Sequence, residues 1–148
     1  MEKIVWDQNL SVGVAEIDRQ HKQLVNILNQ LLILDGISVD SETISDTLTK
    51  MTEYADYHFN SEEQYMQEYS YPEYEMHRKE HIEFMRKTAE FSIATMAYEK
   101  TIPTKILAYL KTWLIEHIME SDMKYKPFFK QKGLSWKAKK QMGTFPRP

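Results

Sequence analysis

The chain has 148 residues, enough for one domain with a substantial core, and a net charge of −3 from 19 basic and 22 acidic side chains excludes the basic face that nucleic-acid binding needs. It contains no cysteine, which rules out disulfides, iron–sulfur clusters, thiolate zinc sites and cysteine catalysis, and suits a cytoplasmic location. No apolar run approaches the roughly 20 residues of a membrane span, so no stable membrane insertion is expected, and the start Met1-Glu2-Lys3-Ile4-Val5-Trp6-Asp7 lacks a secretory pattern.

Residues 1–17 show no sustained period and read as an arm over the rest of the molecule, with Trp6, Leu10, Val12, Val14 and Ile17 apolar and Gly13 allowing a bend. Asp18 is positioned to cap a first helix over about 19–34, whose inner face is His21, Leu24, Leu28 and Leu31 and whose stop is Asp35-Gly36. A second helix, about 41–69, starts at Asp40 or Ser41 and turns Ile44, Leu48, Met51, Ala55, His58, Glu62 and Tyr65 inward. Ser70 with Glu73 reads as a capping box opening a third helix over about 71–97, with His77, His81, Phe84, Thr88 and Phe91 on one face. Thr101 and Pro103 open a fourth over about 102–125, carrying Ile106, Leu110, Trp113, Leu114, His117, Ile118 and Asp122 and ending before Pro127. Phe128, Phe129, Leu134 and Trp136 read as a short C-terminal segment over the bundle end, and the lysines from Lys130 to Lys140 as a solvated tail. Scarce glycine and short loops make this an all-α, up-down-up-down antiparallel four-helix bundle filling one domain over 1–148.

All five histidines fall on inward faces, and every helix contributes at least one. A lone core-facing histidine is usually a hydrogen-bonded packing residue. Five of them beside two buried acids are too costly to bury without a cation. His58 and Glu62, like His77 and His81, are four residues apart and share a helix face. His117 and Asp122 are five apart, which on an α-helix turns the aspartate about 140° past the histidine, although its short side chain still reaches inward. Antiparallel packing brings all of these to one end of the bundle.

Imidazole and carboxylate without thiolate suit iron, zinc, copper or nickel, but seven donors exceed a tetrahedral zinc site and suit two six-coordinate ions. With both acids bridging and a single-atom bridge between the ions, one coordination position stays open. The acids are fewer than in carboxylate-rich bundle sites, which favours oxygen binding over oxygen activation.

The ordered set His21 after a tryptophan-containing arm, His58-x-x-x-Glu62, His77-x-x-x-His81 and His117-x-x-x-x-Asp122 resembles the bacterial hemerythrins over essentially the whole chain. The resemblance implies two iron ions per chain with an oxo or hydroxo bridge. His77, His81 and His117 would hold the saturated iron, His21 and His58 the iron with the open position, and Glu62 and Asp122 would bridge them. It implies reversible binding of molecular oxygen for storage, transport or delivery, with no protein-derived acid or base required, and no enzyme activity is expected. Leu114, one turn before His117, is expected to border the oxygen pocket, with Leu24, Leu28, Phe59 and Ile118 as further lining. A monomer is the default, with an oxygen-consuming enzyme as a transient partner. The alternatives are a di-iron oxidase or peroxidase, a nitric-oxide-handling enzyme, and an oxygen-sensing regulatory module.

Overall fold

The computed structural model describes residues 1–95 and 100–133, with the side chain of residue 95 left out. Among the described residues five helices, α1 (Ala15–Leu32), α2 (Ser41–Glu68), α3 (Tyr74–Thr95), α4 (Thr104–Glu116) and α5 (Met123–Gln131), follow a 3-10 turn at Gln8–Leu10. A π-helical segment, His117–Asp122, joins α4 to α5, so these three pieces run on as the fourth long helix of an antiparallel four-helix bundle. Helix α2 packs on both α1 and α3, and α1 also packs on α4. No helix among the described residues is long and apolar enough to cross a membrane.

The arm is held by polar as well as apolar contacts. Ile4, Leu10, Val12 and Val14 are buried. The Ile4 backbone donates to Asn29 Oδ1 at 2.8 Å, and Asn29 Nδ2 donates back to the Ile4 carbonyl at 2.9 Å. Asp18 does not cap α1, because the helix begins a turn earlier, behind an extended Val14. Its carboxylate instead accepts from Ser11 Oγ at 2.5 Å and from the Val12 amide at 2.8 Å, tying the arm to the helix. Gly13, at φ +79°, takes a conformation that side chains disfavour and lets the arm turn into α1.

Asp40 caps α2 by accepting from the Thr43 amide at 2.7 Å. The next junction differs from the sequence expectation. Ser70 has φ +57° and closes α2, with the Tyr71 amide bonded back to the Met66 carbonyl at 2.8 Å, the pattern of a left-handed helix stop. Helix α3 therefore starts at Tyr74 and not near residue 71. Glu73, freed from a capping box, accepts from the Tyr71 hydroxyl at 3.2 Å. Pro127 lies inside α5, so the fourth helix passes the expected end and carries Phe128 and Phe129 within it. Burial of Tyr125 and Phe129 on one face of α5 offsets the backbone donor that proline lacks. Leu134, Trp136 and residues 96 and 97 of the expected third helix lie outside the described residues.

Two apolar clusters fill the interior. One contains Leu24, Leu28, Leu48, Phe59, Phe84, Leu110, Leu114 and Ile118 among others; the second contains Ile17, Tyr65, Met66, Tyr71, Tyr125 and Phe129. Along each helix, the histidines and acids fall between a member of one cluster and a member of the other. The polar layer is thus sealed at both ends by hydrocarbon, which lowers its dielectric and raises the cost of any unpaired charge.

Replacing Asn29 by Ala strands both Ile4 backbone groups. It should lower stability by about 1–3 kcal/mol, read as the urea midpoint, and an unchanged midpoint would mean that the arm's anchoring adds nothing.

Candidate metal centre

Helical geometry delivers seven donors to one layer. His58 and Glu62 share a face of α2, and His77 and His81 share a face of α3. The five-residue step from His117 to Asp122 is accommodated by the π-helical segment, whose wider turn returns residue i+5 to the face of residue i. The expected angular mismatch therefore disappears. Both side chains are buried, as are His21, His58, Glu62, His77 and His81.

Two overlapping groups result. Glu62, His77, His81, His117 and Asp122 offer ligand atoms that lie within 4.8 Å of one another, and so do His21, His58, Glu62 and Asp122. The acids belong to both groups, the histidines to one each. His77 Nε2 is 2.9 Å and His117 Nε2 3.1 Å from Asp122 Oδ1, while His21 Nε2 is 3.0 Å from Asp122 Oδ2. His81 and His58 approach Glu62 Oε1 with Nε2 at 3.2 and 3.4 Å. Every imidazole thus points its Nε2 into the pocket.

The donor set fits a pair of cations. His21 Nε2, His77 Nε2, Glu62 Oε1 and both Asp122 carboxylate oxygens are buried without a directed hydrogen bond, and all face the shared interior. The Nε2 atoms of His81 and His117 are 3.1 Å apart. Nitrogens bonded at about 2.1 Å and at right angles around one ion would stand about 3 Å apart. Two ions, each against one histidine group with the acids between them, would satisfy every one of these atoms.

Outer contacts orient the rings. His58 Nδ1 is 2.7 Å from Gln20 Oε1, His81 Nδ1 is 2.9 Å from Glu63 Oε2, and His117 Nδ1 is 2.8 Å from Glu80 Oε2. Each oxygen is an acceptor, so Nδ1 carries a proton and Nε2 is the atom left to bind a cation. Glu80 also accepts from Ser121 Oγ at 2.5 Å. The hydroxyl of fully buried Tyr125 donates to Glu62 Oε2 at 2.5 Å. Tyr125 was not among the residues expected from sequence, although its place one turn after Asp122 is a signal that could have found it. Gln20, Glu63 and Glu80 adjoin pocket residues in sequence, but each orients a histidine on another helix, and no spacing signals that.

Electrostatics without metal show what the layer demands. Burial pushes the carboxyls of Glu62 and Asp122 up, but the surrounding imidazoles outweigh it and hold both well below the usual range. Burial likewise opposes protonation of His77 and His117, yet contacts with Asp122 and, for His77, with Glu62 raise them to about 10 and about 9. Burial drives His58 down to about 3. At neutral pH two carboxylate charges are therefore balanced by protons on His77 and His117, which stand in for a cation. The hydrogen bond from His117 lowers Glu80 to about 2, while burial and the charges of Asp122 and Glu62 keep Tyr125 protonated as a donor.

Beside this layer is a small, wholly apolar cavity lined by Leu24, Leu28, Phe59, Leu110, Trp113 and Leu114, among others. Four of the five expected pocket residues face it, and Ile118 is buried in the same apolar cluster. Phe59 stacks on His81 with ring centroids 3.9 Å apart, and Trp113 stacks on His117 at 4.4 Å.

A helical bundle closed on a buried, cysteine-free pocket of imidazoles and shared carboxylates has the donor set of a metal-binding protein. The sequence matches the Hemerythrin HHE cation binding domain over residues 12–129. It is 32% identical over 125 residues to a bacteriohemerythrin of Clostridium acetobutylicum, spanning 82% of this chain and 97% of that protein. It is 30% identical to a myohemerythrin of Theromyzon tessulatum, spanning 84% and 92% of the two chains. A crystal structure of wild-type hemerythrin superposes with a TM-score of 0.77 at 26% identity, covering 84% of this chain and 95% of the other. The chain belongs to the hemerythrin family.

Because two imidazolium protons occupy the metal-free pocket, metal uptake should release protons and weaken as pH falls. Calorimetry of cobalt(II) binding at pH 7 should then give heats that change with buffer ionisation enthalpy. Equal heats in all buffers would contradict the proton balance.

Proposed function

We propose that the chain holds two iron ions, His77, His81 and His117 on one and His21 and His58 on the other, with Glu62 and Asp122 shared, and that it binds and releases molecular oxygen there. The observation that carries this reading is the unequal split of the histidines around two common carboxylates. With the two carboxylates and a bridging oxygen shared, three nitrogens would fill the six positions of one ion, and two would leave a position open on the other. When bound, the ions, with an oxo or hydroxo bridge between them, would supply two electrons and an open coordination position to oxygen.

The protein's part is orientation and exclusion. Gln20, Glu63 and Glu80 hold imidazoles in the tautomer that offers Nε2, and Tyr125 fixes one oxygen of Glu62. Leu24, Leu28, Phe59 and Leu114 supply a dry apolar space beside the ligand layer, which admits a small nonpolar gas and excludes water and ionic reductants. That cavity is too small for an organic substrate and carries no acid or base. It supports oxygen storage, transport or delivery to an oxygen-consuming partner in preference to enzymatic turnover, and a cytoplasmic monomer is the form proposed for that role.

Purified protein reduced without oxygen and then exposed to air should show a visible oxy spectrum that disappears under vacuum, with two irons per chain. One metal per chain, or steady reductant consumption without a stable oxy form, would exclude this function. Leu114→Ala should open the cavity toward the metals and raise the autoxidation rate several-fold. Stopped-flow spectra showing the wild-type rate would remove Leu114 from the barrier.

A further inference from the structure

The outer partners of the histidines differ in charge between the two halves of the pocket. In the half of His77, His81 and His117, two Nδ1 atoms face carboxylates, Glu63 and Glu80. In the half of His21 and His58, the one outer acceptor among the described residues is the neutral amide of Gln20, and His21 Nδ1 has no hydrogen-bond partner among them. The amide is fixed in that role, because Gln20 Nε2 donates to Glu16 Oε1 at 3.2 Å, leaving Oε1 for His58. Glu16 in turn is bonded to Arg19, so the negative charge behind the amide is neutralised before it reaches the ring.

The two outer carboxylates are not equal either. Glu63 lies 3.8 Å from Arg78 as well as bonding His81. Glu80 bonds His117 and the neutral hydroxyl of Ser121. An imidazole whose Nδ1–H donates to a carboxylate is a stronger Nε2 donor than one whose partner is an amide, and an added negative charge near a cation lowers its free energy further. Removing such an outer partner typically weakens metal binding by about 10–100-fold.

We propose that these outer partners set the loading order: the half with His77, His81 and His117 takes a divalent cation first and more tightly, with Glu80 as the main positioning residue, and the Gln20-backed half fills second. The inference rests on the two-ion reading of the pocket. It concerns metal affinity alone and does not depend on what the loaded protein does with oxygen.

Metal-depleted full-length protein would be titrated with cobalt(II), followed by its visible absorption and by calorimetry. The wild type should bind two equivalents in two steps. Glu80→Gln keeps the side chain's shape and removes its charge, and it should weaken the first step about 10–100-fold while leaving the second within a few-fold. Gln20→Glu should strengthen the second step and narrow the gap. Indistinguishable steps in the wild type, or a Glu80→Gln effect on both steps alike, on the second alone or on neither, would overturn the order. A total of one cobalt or none would overturn the two-ion reading with it. Should Glu80→Gln lose its helical circular dichroism, Ser121→Ala, which frees Glu80 from its second donor, must alter the first step and spare the second; an unaltered first step would also refute the proposal.

Discussion

Two carboxylates, Glu62 and Asp122, are fully buried at the centre of a helical bundle, and the rest of the structure is arranged around balancing them. In a medium of low dielectric, a lone ionised acid costs several kcal/mol. Five imidazoles converge on these two groups, and without metal the balance is kept by protons on His77 and His117. The pocket thus carries a charge that hydrocarbon cannot satisfy and that cations can.

Around this layer the structure adds a second one. Gln20, Glu63 and Glu80 each orient a ring on another helix, and Tyr125 holds Glu62 from below. Each cross-helix hydrogen bond ties bundle geometry to donor direction. The two apolar clusters then close the layer at either end. The cluster with Leu24, Phe59 and Leu114 contains the small dry cavity, while the cluster with Tyr65, Tyr125 and Phe129 packs the opposite side beneath the arm.

The fold was legible because amphipathic periodicity and loop signals survive without tertiary information. Asp40 caps α2 as its residue type suggests, whereas α1 ends at Leu32, short of the expected 34, and Gly36 takes its positive φ in the turn that follows. The junctions were less legible. Ser70 and Glu73 have the spacing of a capping box, yet the Tyr71-to-Met66 hydrogen bond uses Ser70 as a helix stop. Asp18 has the residue type of a cap, but the arm competes successfully for its carboxylate. In both cases a local signal had two compatible outcomes, and packing selected one.

By itself the sequence determined that an all-helical chain would turn five histidines and Glu62 to one interior, because side chains three and four residues apart must share a face. Tertiary structure decided three further matters. The π-helical segment brings Asp122 round to the face of His117, which an ideal α-helix would not do. Cross-helix contacts assign carboxylates to His81 and His117 and an amide to His58, a pairing between residues 18, 37 and 38 positions apart. Packing also leaves the small apolar cavity beside the polar layer. These depend on distances between helices, and no periodicity within one helix encodes them.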